Sequence, residues 1–121
     1  MFVKRSAECE EITANDGCRL RELLHPDRDG SGLPYSLAVA RVEPGQATHP
    51  HLLREETEVY YIVRGSGRMH IGEQTEELQA GDAVVIPAGA RQWIECTGRD
   101  TLEFVALVDP PWRSDHDVRY P

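Results

Sequence analysis

The chain has 121 residues, of which 40% are hydrophobic and 28% are charged, so it is large enough for one globular domain with its own core. Its formal net charge of -8, with 13 Lys and Arg residues scattered along the chain, excludes the clustered basic surface that nucleic-acid binding requires. No apolar run approaches the roughly 20 residues of a membrane helix, and the start of the chain lacks the apolar core of a signal peptide, so we expect a cytoplasmic protein without membrane contact.

Residues 1–34 are polar and interrupted, and they are predicted to form an N-terminal arm and loop. The Asp16-Gly17 pair predicts a turn, and the apolar cluster within residues 20–24 suits either a short strand or a single helical turn. Residues 27–34 contain two glycines and a proline, which predict a loop. His25 precedes this loop, and we expect its side chain to face solvent.

Strand signals recur at about ten-residue spacing through the middle of the chain, where short apolar and β-branched runs are bounded by Gly and Pro. The predicted strands are residues 35–42, 59–63, 68–71, 80–87, 91–96 and 101–108. The turn at residues 65–67 predicts a hairpin between the second and third of them. Because no helix-length period separates the strands, the pattern favours an all-β sandwich or barrel.

The remaining segments are predicted to be exposed. Residues 52–57 carry three charges and are predicted to be an exposed connection, and residues 109–121 are too rich in Pro and charge for a central strand. His116 lies between two aspartates in this tail, which predicts a solvated side chain, and His70 is predicted to be a surface or satisfied strand residue. The three cysteines lack the paired spacing of a structural zinc site, so they are predicted to be reduced thiols.

Candidate ligands for a metal ion are concentrated in residues 49–60. Side chains two apart in an extended chain share a face, so His49 and His51 are predicted to point the same way, as are Glu58 and Tyr60. Imidazole, carboxylate and amide oxygen suit iron, manganese, nickel or zinc better than they suit a thiolate-selective metal. A site with open positions would act as a Lewis acid or generate a nucleophile.

Two stretches resemble the two motifs of the cupin superfamily. In the first, five residues separate Gly45 from His51, and six residues separate Glu58 from Gly65. In the second, which begins at Gly81, five residues precede Pro87 and four more precede Gln92. The resemblance implies a small single-domain cupin over residues 1–121, with a double-stranded β-helix, or jelly-roll barrel, whose core spans residues 35–108. It also implies a homodimer.

The usual cupin site has three histidines and a glutamate, and this sequence retains only part of that set. His51 and Glu58 occupy two of the positions, while Leu53 and Gln92 stand where two histidines would be. His49 is close enough in sequence to supply a replacement imidazole. The resemblance therefore implies a divalent transition-metal site of His49, His51, Glu58 and Gln92, with Tyr60 as a catalytic proton donor or base.

Two functions remain open. The first is a metal-dependent enzyme that acts on a small polar or carboxylate-bearing molecule, of the isomerase, lyase, decarboxylase or dioxygenase type. The second is a metal-free module that binds or senses a small molecule in the same cavity. Leu53 and Gln92 favour the second, whereas His49 favours the first, and the fold alone does not decide between them.

Overall fold

A computed structural model describes all residues, 1–121. The chain forms eleven strands and three helical turns. In chain order the strands are β1 Ile12–Thr13, β2 Arg19–Leu24, β3 Ser36–Val42, β4 His51–Leu53, β5 Thr57–Arg64, β6 Ser66–Ile71, β7 Gln74–Gln79, β8 Ala83–Ile86, β9 Gln92–Cys96, β10 Leu102–Asp109 and β11 Asp117–Arg119. The helical turns are a 3₁₀ turn at Ser6–Glu8, α1 at Pro26–Asp29 and a second 3₁₀ turn at Ser114–His116. None of the helices is long and apolar enough to cross a membrane.

Two antiparallel sheets face each other. One contains six strands in the order β1-β2-β3-β10-β5-β8, and the other contains five in the order β11-β4-β9-β6-β7. The predicted all-β jelly-roll barrel is therefore confirmed. β10 lies at the centre of the larger sheet, paired with β3 on one side and β5 on the other.

The core lies between the two sheets and follows the two-residue alternation of the strands. Every second side chain of β10, from Leu102 to Val108, is buried, which matches the alternation expected of a half-buried strand. Phe104 is 1% exposed, and its ring packs on that of Tyr60 with the centroids 4.3 Å apart. These inward positions give the barrel a continuous apolar interior around the buried polar residues described below.

The predicted hairpin between β5 and β6 is wrong, because these strands belong to different sheets. Gly65 is the corner between them, with φ of +81°, and a Cβ atom at this position would lie 2.6 Å from the carbonyl oxygen of Thr101. Only glycine tolerates both the left-handed conformation and this close backbone approach. The hairpin forms one strand later, where β6 turns back through Gly72 into β7.

The N-terminal segment is part of the larger sheet. The cluster at residues 20–24 is a strand, since β2 pairs with β3. His25 was predicted to face solvent, which is wrong: it is 2% exposed. Its Nδ1 accepts a hydrogen bond from the backbone N–H of Asp27 at 3.2 Å, so its Nε2 donates to the carbonyl oxygen of Trp112 at 2.8 Å. The histidine is buried because it caps α1 and binds the C-terminal tail.

The C-terminal tail returns to the barrel and covers two residues of a segment that is predicted to be exposed. β11 pairs with β4 at the edge of the smaller sheet, and Leu53 is 3% exposed. His116 is not a solvated side chain, because its Nδ1 lies 2.6 Å from a carboxyl oxygen of Glu56, which is 1% exposed. The prediction for residues 52–57 is confirmed for Arg54, Glu55 and Thr57, which are exposed. It is wrong for Leu53 and Glu56, and it missed the burial of Glu56 because the partner of this residue lies 60 residues further along the chain.

Candidate functional site

A cavity of about 540 Å³ opens at the end of the barrel where both terminal segments cover it. Its wall combines apolar side chains with a small set of polar ones, which is the usual composition of a ligand site. The charged and imidazole side chains in the wall are Asp16, Glu22, Arg28, His51, Glu58 and Asp117. Four of these side chains carry a carboxyl group, namely Asp16, Glu22, Glu58 and Asp117.

His51 is the first residue of β4 and is 3% exposed, with its side chain in the cavity wall. Its Nδ1 lies 2.8 Å from the backbone carbonyl oxygen of His49. A carbonyl oxygen only accepts hydrogen bonds, so Nδ1 carries the proton and donates it. Nε2 makes no hydrogen bond, and its nearest charged atom is Oδ2 of Asp16 at 3.7 Å. This orientation leaves Nε2 without a hydrogen-bond partner in the cavity wall.

Glu58, Gln92 and Tyr60 form a chain of hydrogen bonds inside the barrel. The amide nitrogen of Gln92 donates to Oε1 of Glu58 at 2.9 Å, and the Tyr60 hydroxyl donates to the amide oxygen of Gln92 at 3.1 Å. Glu58 and Tyr60 both face inwards from β5, as the strand alternation predicts. Each polar group is paired, so the buried network is satisfied.

Burial strongly disfavours the charged forms in this network. It raises the pKa of Glu58 to about 8; the hydrogen bond from Gln92 opposes this rise, and the nearby carboxylates of Asp16 and Asp117 add to it. Burial also raises the pKa of Tyr60 well above its usual value, and the charge of Glu58 acts in the same direction. At neutral pH Glu58 is therefore mostly a neutral carboxylic acid, and Tyr60 is a neutral hydrogen-bond donor.

His49 is turned away from the cavity. Its Nε2 lies 2.6 Å from the backbone carbonyl oxygen of Tyr120, and its side chain is not part of the cavity wall. β4 begins only at His51, so the two-residue alternation does not extend back to His49. Leu53, at the position of a usual cupin histidine, lines the cavity with an apolar side chain instead.

The predicted four-residue metal site is not assembled as a ligand cluster. His51 and Glu58 both reach the cavity, but the amide oxygen of Gln92 is bonded to Tyr60 and the ring of His49 is bonded elsewhere. No three His, Cys, Asp or Glu side chains are arranged closely enough to hold an ion. The residues as placed therefore do not fit a preformed metal centre, and metal binding by these four residues stays a prediction.

Sequence reasoning missed the contribution of the two terminal segments to this site. Asp16 is 8% exposed beside His51, and the only local signal for it was the turn at Asp16-Gly17. Asp117 accepts hydrogen bonds from the Asn15 side chain and from the indole N–H of Trp112, both at 2.9 Å. Because Asn15 and Asp117 lie 102 positions apart in the chain, no local spacing identifies their contact.

Two other predicted side chains lie apart from the cavity wall. Burial and the adjacent Asp16 raise the pKa of the Cys18 thiol, so this cysteine stays protonated, and all three cysteines are free, as predicted. His70 stacks on Trp93 with ring centroids 4.1 Å apart, and its Nε2 lies 2.5 Å from a carboxyl oxygen of Glu95. His70 is therefore a satisfied strand residue, in agreement with the prediction.

Comparison with known proteins gives the family. The family model of the cupin domain matches residues 38–108, and the chain belongs to this family. The resemblance inferred from the two motifs is thereby confirmed.

The proteins similar to this chain include two whose sequences match it and one whose solved structure does. An uncharacterized protein of Methanocaldococcus jannaschii is 36% identical over 97 residues, which cover 80% of this chain and 77% of that protein. The oxalate-binding protein of Thermotoga maritima is 34% identical over 68 residues, and the match spans 56% of each chain. The crystal structure of a predicted oxalate decarboxylase from Thermotoga maritima has a TM-score of 0.78 and 28% identity, and the match covers 90% of this chain and 99% of that one.

Proposed function

We propose that this cupin binds a small polar molecule in the cavity at the end of its barrel. The observation that carries the proposal is the cavity of about 540 Å³, with the free Nε2 of His51 and the carboxyl group of Glu58 in its wall. Its volume lies within the roughly 300–1,000 Å³ of small-molecule sites. Apolar side chains supply most of the contact area, and the few polar groups would orient the ligand.

A metal-dependent enzyme is the second candidate, and the tautomer of His51 favours it. A histidine that donates from Nδ1 to a carbonyl oxygen presents Nε2 as a metal ligand usually does. His51 and Glu58 would hold the ion, which would supply Lewis acidity to a carboxylate-bearing substrate. Iron, manganese, nickel or zinc suits these donors. The names of the oxalate-binding protein and the predicted oxalate decarboxylase support a small dicarboxylate as substrate.

The geometry favours the binding module over the four-ligand enzyme. Gln92 would have to give up its hydrogen bond from Tyr60 to offer its oxygen to a metal, and His49 would have to leave the carbonyl of Tyr120. Each of these bonds contributes about 1 kcal/mol. We propose that Tyr60 holds Gln92 in position rather than transferring a proton, because its raised pKa disfavours the phenolate.

We retain the homodimer as a proposal. Tyr61 and Val63 on β5 and Val85 on β8 are 49%, 48% and 62% exposed. They lie on the outward side of the larger sheet, where β5 and β8 are paired. An exposed apolar sheet surface of this kind supports contact with another protein surface, and a second copy is the simplest partner.

The experiment that tests the proposed function combines elemental analysis with ligand titration on untagged protein. Binding of a small polar molecule is expected to raise the melting temperature, with a stabilisation of about 2.7 kcal/mol at a hundredfold excess over Kd. His51→Ala is expected to abolish this rise. His70→Ala is the matched control, because His70 lies outside the cavity wall. Equal binding by wild type and His51→Ala would contradict the proposal. About one equivalent of metal per chain, lost in His51→Ala, would instead support the enzyme.

A further inference from the structure

We infer that the molecule bound in this cavity has a compact apolar body, aliphatic or aromatic, joined to an uncharged polar group. The apolar body lies against the methyl groups of Ala38 and Ala106, which we call the cavity floor. A free dicarboxylate such as oxalate is not of this class, although the names of two similar proteins include oxalate. This ligand class rests on the proposed function, because it belongs to the same cavity.

The cavity floor is open because two small side chains face each other across paired strands. Ala106 lies on the buried side of β10, and Ala38 on β3 is its direct partner in the register. Residues directly opposite in an antiparallel pair point to the same face, so both methyl groups face the cavity. At the next inward pair, Phe104 fills the interior opposite Ala40 and is 1% exposed. The interior is therefore filled at the level of Phe104 and open at the level of the two alanines.

Apolar side chains surround the cavity floor. Leu53 and Val108, which are 3% and 4% exposed, line the same cavity, as do Leu20 and Trp112. The indole N–H of Trp112 is bonded to Asp117, which holds the ring in place. A ligand that rests on the floor therefore removes apolar surface from water on both sides of the contact, which favours binding.

The size of the cavity exceeds what a small dicarboxylate needs. Its volume of about 540 Å³ corresponds to about eighteen waters at roughly 30 Å³ each. Oxalate has no hydrocarbon surface, so it would leave the floor and the apolar side chains around it facing water. A molecule with a ring or a branched alkyl body covers that surface instead.

The wall offers no unpaired cationic side chain to a carboxylate ligand. Arg28 is the one arginine or lysine in the wall, and both of its contacting nitrogens face the carboxylate of Glu22. Nε2 of His51 lies 3.7 Å from Oδ2 of Asp16, so even a doubly protonated ring already has a carboxylate partner. Four carboxyl groups without an unpaired cation favour an uncharged polar group over a carboxylate.

The test is calorimetric titration of the whole chain with five probes. Benzamide and cyclohexanecarboxamide each join an apolar ring to an uncharged amide. Benzoate has the ring and a negative charge, acetamide has the amide without a ring, and oxalate has neither ring nor amide. The two ring amides are expected to bind at least about tenfold more tightly than benzoate, acetamide or oxalate.

Filling the cavity floor is expected to weaken the binding of the ring amides. Ala106→Leu places an isobutyl group in the cavity and changes no polar group, so it should weaken the binding of both ring amides at least about tenfold. Ala80→Leu is the matched control, because Ala80 is an exposed turn residue outside the cavity wall. It is expected to bind the ring amides within about twofold of wild type.

The outcomes separate this inference from the proposed function. Benzoate, oxalate or acetamide bound as tightly as the ring amides would overturn the inference and leave the proposed function standing. Equal binding of the ring amides by wild type and by folded Ala106→Leu would also overturn it. If wild type bound none of the five probes, the inference would fail, and the proposed function would still be decided by its own comparison of wild type with His51→Ala.

A measurement on wild type covers the case in which Ala106→Leu does not fold. The carbon-13 methyl resonances of Ala38 and Ala106 are expected to shift on saturation with benzamide, because its ring would lie against both methyl groups. The methyl resonance of Ala80, outside the cavity wall, is expected to stay in place. Unchanged resonances of Ala38 and Ala106 in benzamide-saturated protein would refute the placement of the apolar body on the floor.

Discussion

Replacing Glu58 with glutamine is expected to remove most of the pH dependence of stability between about pH 5 and 8. Burial raises the pKa of this carboxyl group from 4.5 to about 8, so the folded protein binds a proton that the unfolded chain has released. The wild-type free energy of unfolding is therefore highest below pH 4.5 and falls as the pH rises towards about 8. It is level above that value, once the folded protein also carries the ionised group.

The size of this effect follows from the interval between the two pKa values. At about 1.4 kcal/mol for each pH unit, the interval from 4.5 to about 8 corresponds to about 5 kcal/mol. That is a large part of the roughly 5–15 kcal/mol that stabilises a typical domain. Glutamine has nearly the same shape as the neutral acid and carries no charge, so Glu58→Gln retains the contact with Gln92 and loses the titration.

The assay is urea unfolding of chelator-treated protein at a series of pH values from about 5 to 9. Wild type is expected to lose about 4–5 kcal/mol over this range, and Glu58→Gln is expected to stay nearly level. Glu77→Gln is the control, because Glu77 is an exposed carboxylate paired with Arg68, and it should follow wild type. Equal slopes for wild type and Glu58→Gln would refute the reasoning. A wild-type slope that manganese(II) abolishes would show that a metal ionises Glu58 in the cavity.

Two further predictions concern the stability of the protein at acid pH and the corner at Gly65 between β5 and β6. Hydrogen bonds from Arg41 lower the pKa of Glu11 to about 2. The stability that Glu11 contributes is therefore complete above pH 4.5 and is lost as the pH falls towards 2. An acid titration followed by circular dichroism should show this loss for wild type and not for Glu11→Gln. In thermal melts, Gly65→Ala should destabilise the fold by about 2 kcal/mol more than Gly72→Ala. Both glycines have a positive φ, but only at Gly65 would a Cβ atom meet the carbonyl oxygen of Thr101. Equal melting temperatures for the two variants would contradict this prediction.

The strands of the barrel could be predicted because their signals are local. Apolar and β-branched runs bounded by Gly and Pro identified the segments that became β3, β5, β6, β8, β9 and β10. The pairing of β5 with β6 was predicted wrongly because a glycine turn looks the same whether it closes a hairpin or passes between sheets. The choice depends on the Thr101 carbonyl behind Gly65, which lies 36 residues further along the chain.

Part of the site could also be predicted, because the motif spacing and the strand alternation are likewise local in the sequence. The motif spacing brought His51 and Glu58 to one cavity, and the strand alternation placed Tyr60 on the same side as Glu58. The spacing could not reveal that the side-chain amide of Gln92 donates to Glu58 and accepts from Tyr60. Nor could it reveal that His49 contacts the C-terminal tail. Hydrogen-bond partners of a buried side chain depend on tertiary contacts, and a local pattern contains no information on them.

The polar residues outside the motifs give the cavity its chemical character. The family model ends at residue 108 and begins at residue 38, yet Asp16, Glu22, Arg28 and Asp117 all lie beyond those limits. The barrel strands thus supply His51 and a largely neutral Glu58, while the terminal segments supply the other three carboxyl groups and one guanidinium. A cupin barrel with the same inner residues but a different terminal cover would present a different electrostatic field to its ligand. Ligand choice in this protein is therefore expected to respond more to exchange of residues 12–28 than to conservative changes inside the barrel.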